Sequence, residues 1–168
     1  MRADARLPLP GVQAASMPKE EPGRILAADY GRKKIGLALS DACRLTAKPL
    51  TTLMRTNREK DLARLQEICR KNAVSLIIVG HPLHLSGHAG EMADEAARFA
   101  IRLNRNLGIP VELVDERLTT WEARQTVGQN KSSRANRTLD EVAAAILLRE
   151  YLGREQAPYP PSTPGEAR

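Results

Sequence analysis

A chain of 168 residues, 42% apolar and 27% charged, has room for one globular domain and no second large core. Aromatic residues make up only 3%, so the core must be aliphatic, and single-strand binding on stacked aromatic platforms is disfavoured. The net charge of +6 belongs to residues 24–152, because the charges of each terminal segment cancel; it points to a polyanionic partner, nucleic acid first.

Residues 1–22 mix Pro, Gly, Ala and charge without periodicity, and residues 154–168 are Pro-rich. Neither segment holds enough apolar surface to offset its ordering entropy, so both read as disordered tails flanking one domain at residues 23–153. No apolar run approaches the roughly 20 residues of a membrane span. The N-terminus lacks the apolar stretch of a signal peptide. Cys43 and Cys69 are too few and too isolated for a disulfide framework or a zinc knuckle. A cytoplasmic protein without membrane association is expected.

The first ordered stretch, Arg24–Asp41, reads as two apolar strands joined by a turn at Tyr30-Gly31 and a basic run, Arg32-Lys33-Lys34. Its first strand ends in Asp29. Taken alone, Asp29 is a turn acid bonded to the backbone beside Gly31; a metal ion or a catalytic task would also justify a carboxylate there. Pro49–Met54 gives a third strand. Thr56-x-x-Glu59 matches a capping box for a helix through Arg70, with Leu62, Leu65, Ile68 and Cys69 on one face. Ser75–Gly80 (SLIIVG) is a continuously apolar strand of the kind covered on both faces.

A loop over residues 81–90 carries His81, His84 and His88, whose spacing fits no zinc pattern; it reads as a water- or phosphate-facing loop. Gly80, Gly87 and Gly90 would let its backbone approach a ligand closely. The next helix presents Met92, Ala96, Phe99, Ala100, Leu103 and Leu107 and is stopped by Gly108 and Pro110. Val111–Asp115 is another buried strand. Thr119-x-x-Glu122 opens a short helix to about Val127 in which Trp121 is a packing residue. The basic loop Lys131–Arg137 precedes a last helix, Leu139–Leu152, capped by Thr138-x-x-Glu141. This order implies an α/β fold: a mixed five-stranded sheet, a three-strand antiparallel meander plus parallel strands, with helices on both faces.

Acids end two strands of this sheet, Asp29 after the first and Asp115-Glu116 after the last. A third, Asp140, lies in the first turn of the final helix on one face with Ala143, Ala144 and Leu147. There it also complements the helix dipole. Ligands of open α/β sheets bind outside the carboxyl ends of the strands. Acids clustered there in a basic protein suit Mg²⁺ or Mn²⁺ held against phosphate oxygens, and hence a metal-dependent nuclease. Asp115 and Glu116 alternate across their strand, but both of its faces are apolar, so periodicity leaves open which acid joins the site. Arg32, Lys33 and Lys34 on one side, and Lys131, Arg134 and Arg137 on another, would position the substrate backbone.

The segments LAADYGRKKIGLALSD (26–41), IIVGHPLHLSGHAG (77–90), VELVDERLTTWEA (111–123) and LDEVAAAILLREYL (139–152) resemble the YqgF (RuvX-like) family, relatives of Holliday-junction resolvases. The resemblance implies an RNase H-like fold and a nuclease acting at the 5′ end of the pre-16S rRNA. The alternatives are a resolvase-like DNA nuclease and a non-catalytic RNA-binding assembly factor. The implied partner is structured RNA or branched DNA. The implied metal-binding and catalytic residues are Asp29, Glu116 and Asp140, with Asp115 a structural acid. At Leu85-Ser86 the chain departs from the family pattern, which has an acidic or amide side chain before the glycine.

Overall fold

The computed structural model describes residues 6–7, 23–82, 90–116 and 139–155. The elements in chain order are β1 (Arg6–Leu7), β2 (Arg24–Tyr30), β3 (Lys34–Ser40), β4 (Ala47–Met54), α1 (Arg58–Lys71), β5 (Val74–His81), α2 (Glu91–Leu107), β6 (Val111–Asp115) and α3 (Leu139–Glu155). They form one sheet of order β1-β6-β5-β2-β3-β4. The meander β2-β3-β4 is antiparallel, and β5 and β6 add in parallel beside β2.

Strands β2 and β5 are apolar without alternation because helices cover both faces of the sheet. On one face Leu26 and Ala28 pack with Ile35, Leu37, Ile77 and Val79 under α1 (Leu65, Cys69) and α2 (Ala96, Phe99, Ala100, Leu103). On the other, Ile25, Ala27, Ala38, Leu76, Ile78 and Val114 lie under Ala144, Leu147, Leu148 and Tyr151 of α3. The Tyr151 hydroxyl also donates to Glu112 on β6, 2.9 Å away. Helix α2 stops where its pattern predicted: Gly108, at φ +65°, donates its N–H to the Asn104 carbonyl from the left-handed region that glycine tolerates.

Three expectations need correction. The five expected strands are joined by a sixth, because Arg6 and Leu7, inside the supposedly disordered segment 1–22, pair antiparallel with Val114 and Leu113. Strand β6 would otherwise end the sheet with unpaired backbone groups, which any extended segment can satisfy. The capping box at Thr56-x-x-Glu59 does not form. Asn57 caps α1 by accepting the Lys60 N–H at 2.9 Å, while the Thr56 N–H turns to the buried Asp61 carboxylate at 3.1 Å. Third, β4 begins at Ala47 rather than Pro49, with an irregularity opposite Leu37/Ala38 that accommodates the proline, which has no N–H to donate. The short helix after Thr119, Trp121, the cap at Thr138 and the loop carrying His84, Leu85-Ser86 and His88 lie outside the described residues.

Because β1 contributes two residue pairs at a sheet edge, a fragment of residues 23–155 is expected to melt within about 5 °C of the full chain. A larger fall in calorimetry would show that a terminal segment contributes more than this pairing.

Candidate active site

Asp29 shares the parity of Ile25 and Ala27, so it emerges on the α3 face near the carboxyl end of β2. Its cross-strand partner on β3 is Gly36. On the other side β5 reaches Gly80, one residue past the Ala28–Val79 pair. These two glycines build the site. A side chain at Gly36 would run into the backbone of Asp140 and Glu141, so the start of α3 rests directly on β3 beside Asp29. A side chain at Gly80 would occupy the place of the Glu116 carboxylate, which lies over β5 on the same face. Asp29 and Glu116 together line a cleft of ≈ 350 Å³ whose remaining wall is Leu139, Val142, Ala143, Ile146 and Leu147 of α3.

Asp140 stands at the rim rather than in the cleft lining. Its carboxylate is 3.9 Å from the Lys34 ammonium, beyond hydrogen-bond distance, with both side chains partly exposed. Among the described residues no three His, Cys, Asp or Glu side chains gather closely enough to cage a metal ion. The Asp29–Glu116 pair nonetheless fits a hard divalent cation: Mg²⁺ is commonly held by one or two carboxylates, with water and substrate phosphate supplying the other oxygens.

Asp115 takes the opposite face. It has the parity of Leu113, is 6% exposed, and pairs in register with His81 at the end of β5. His81 is therefore a buried strand residue and not a member of a water- or phosphate-facing loop. The reason is that β5 extends past Gly80 to pair with β6. Burial lowers the His81 proton affinity, outweighing Asp115, Asp94 and a backbone hydrogen bond at Ala93. Its Nδ1 finds no partner among the described residues.

The basic run after Tyr30 splits into three roles. Arg32 donates from Nε and Nη2 to Glu95 at 3.1 and 2.8 Å, and its Nη2 lies 3.0 Å from Glu91, tying the β2–β3 turn to α2. That contact holds the Glu95 carboxyl below its ordinary range, with Arg32 the largest cause. Lys33 is exposed and makes no ion pair among the described residues, and Lys34 faces Asp140. Lys131, Arg134 and Arg137 lie outside the described residues. Sequence reasoning missed Gly36, and it read Gly80 as letting the backbone approach a ligand, whereas Gly80 makes room for the Glu116 side chain. An isolated glycine inside an apolar strand pattern is the signal of close approach that would have found Gly36.

Comparison with known proteins agrees with this architecture. Relatives bearing the name "Putative pre-16S rRNA nuclease" include one from Symbiobacterium thermophilum, 42% identical over 141 residues, covering 83% of this chain and 98% of the relative. One from Moorella thermoacetica is 41% identical over 133 residues, covering 78% and 95%. Two structures of Thermus thermophilus RuvC, one alone and one with a Holliday junction, superpose with TM-scores of 0.52 and 0.50. They are 16% and 14% identical, cover 79% and 80% of this chain and 96% of RuvC, and show the RNase H-like fold. The model of the family described as "RuvX: Holliday junction resolvase" matches residues 23–154, and the chain belongs to that family.

Proposed function

We propose that the chain is a metal-dependent nuclease that hydrolyses phosphodiester bonds and trims the 5′ end of pre-16S rRNA in the cytoplasm. The observation that carries this reading is the pair Asp29 and Glu116 in one cleft at the carboxyl ends of the parallel strands β2 and β6, which flank β5, with Gly80 on β5 leaving room for the Glu116 carboxylate. The names of the relatives support RNA as the substrate.

Asp29 and Glu116 would hold Mg²⁺ or Mn²⁺, with Asp140 joining from the rim. Such an ion neutralises charge on the phosphate and leaving oxygens and raises the acidity of water. The chain supplies the rest. Lys34, whose ammonium lies 3.9 Å from the Asp140 carboxylate, would meet a non-bridging phosphate oxygen of the bound substrate. The aliphatic wall from Leu139 to Leu147 limits the water around the scissile bond. Hydrolysis adds water across one P–O bond, leaving a phosphate on one product and a hydroxyl on the other.

Incubation with a 5′-extended 16S precursor fragment is expected to yield a shortened 5′ end with Mg²⁺, no product after chelation with EDTA, and recovery when Mg²⁺ or Mn²⁺ is restored. The family description favours a second substrate, a four-way DNA junction. Cleavage of the junction alone would move the function to DNA. Metal-independent binding of the RNA without cleavage of either substrate would make the protein an assembly factor.

A further inference from the structure

The face of the sheet opposite the cleft carries four arginines that the nuclease reading does not use. Arg55, just after β4, is built into the fold: its Nη1 donates to the Tyr30 hydroxyl at 2.9 Å and to the carbonyls of Gly31 and Arg32 at 3.1 and 3.3 Å. Its guanidinium lies 4.9 Å above the Tyr30 ring. The Nε is buried and stands 3.6 Å from Asp61, too far for a hydrogen bond. Arg58 opens α1, and Arg98 and Arg102 sit one turn apart on α2.

Arg102 is half-buried, and its guanidinium is held below the ordinary arginine range by burial first and by the charge of Arg58 next. Arg55 and Arg98 add smaller contributions of the same sign, against the opposing Tyr30 hydroxyl. Arg102 is thus within electrostatic reach of the other three. Two acids in this region are already engaged: Asp61 faces Arg55, and Glu95 is bonded to Arg32. Among the described residues Arg58, Arg98 and Arg102 form no ion pair of their own.

Like charges gathered around a half-buried guanidinium repel, and an anion placed among them relieves that repulsion. The planar fork of arginine matches phosphate oxygens in particular. The position matters as much as the charge. Arg55 is bonded to the turn Tyr30-Gly31-Arg32, which follows Asp29 directly, so the cluster lies around the rim of the sheet from the cleft. We propose that Arg55, Arg58, Arg98 and Arg102 form a second contact surface for the phosphodiester backbone of the substrate, engaging a segment that flanks the cleaved one. The identity of the partner rests on the nuclease reading; the surface rests on the arginines alone.

The test replaces Arg58→Gln, Arg98→Gln and Arg102→Gln together in the full chain, leaving Arg55 for its structural bonds. Binding of a 5′-extended RNA hairpin and of a four-way DNA junction is measured in EDTA between roughly 50 and 200 mM salt. The triple variant is expected to bind about 10-fold more weakly at low salt, independently of sequence, and the log–log salt slope should shrink by roughly one per arginine removed. Loss confined to RNA or to DNA would support the surface and identify its source of phosphate. The variant should melt no lower than the parent, since repelling charges have been removed. An unchanged affinity and slope would overturn the proposal. So would a loss of binding to poly-glutamate with nucleic-acid binding intact, which would assign the surface to an acidic protein segment. If the variant loses binding as expected but the parent cleaves nothing with Mg²⁺, the nuclease reading fails while the surface stands.

Discussion

Asp29→Asn and Glu116→Gln are each expected to lower Mg²⁺-dependent cleavage by about 100-fold or more, because each removes an anionic oxygen from the cleft that Asp29 and Glu116 share. Melting temperatures without metal should stay within a few degrees of the parent, since neither side chain is part of an apolar core. Asp140→Asn should also abolish cleavage if its carboxylate joins the ion from the rim. Lys34→Ala separates that role from a tether: if Asp140 only orients Lys34, the two variants will lose the same modest amount of activity. Asp115→Asn should behave in the opposite way. Its carboxylate is buried on the far face beside His81, so its loss is expected to cost about 1–3 kcal/mol of stability while cleavage remains measurable. A stable but inactive Asp115→Asn together with an active Glu116→Gln would reverse the assignment on this strand.

The two glycines beside Asp29 should fail in different ways when changed to alanine. At Gly36 the new methyl group meets the carbonyl oxygen and carbon of Asp140 and the nitrogen of Glu141, all of them backbone. Backbone cannot swing aside, so α3 must lift from the sheet it covers. The expected cost is about 3 kcal/mol, seen as a fall in melting temperature of roughly 10 °C, with activity lost as a consequence. At Gly80 the nearest atoms to the new methyl group are those of the Glu116 side chain from Cγ to Oε1. A flexible side chain can move, so Gly80→Ala should fold with near-parent stability and lose activity as Glu116→Gln does. Circular dichroism melts paired with cleavage assays separate the two. Parent-like cleavage by Gly80→Ala would mean that the place of the Glu116 carboxylate over β5 is not required.

The elements themselves were legible because their signals are local. The unbroken apolar run Ile25–Ala28, the Ser75–Gly80 strand and the glycine that stops α2 express backbone preference and face periodicity within a few residues. Local signals were weaker where two partners compete for one group. Thr56 and Asn57 are both good caps, and the choice fell to Asn57 because Asp61, itself facing Arg55, takes the Thr56 N–H.

By itself, then, the chain's order of residues determined the succession of elements from β2 to β6 and the last helix, the three candidate acids and the basic character of the body. Only tertiary structure decided which face each acid serves. Val111, Leu113 and Val114 make β6 apolar on both sides, and the ambiguity is resolved by α3 covering one face and α2 the other. His81 became a strand residue because β5 pairs onward to Asp115. Arg32 met Glu95, and Arg55 met the turn after Asp29, across long stretches of sequence that carry no local trace of the contact. Such pairings follow from the packing of distant elements, where burial and charge are set by neighbours in space and not by neighbours along the chain.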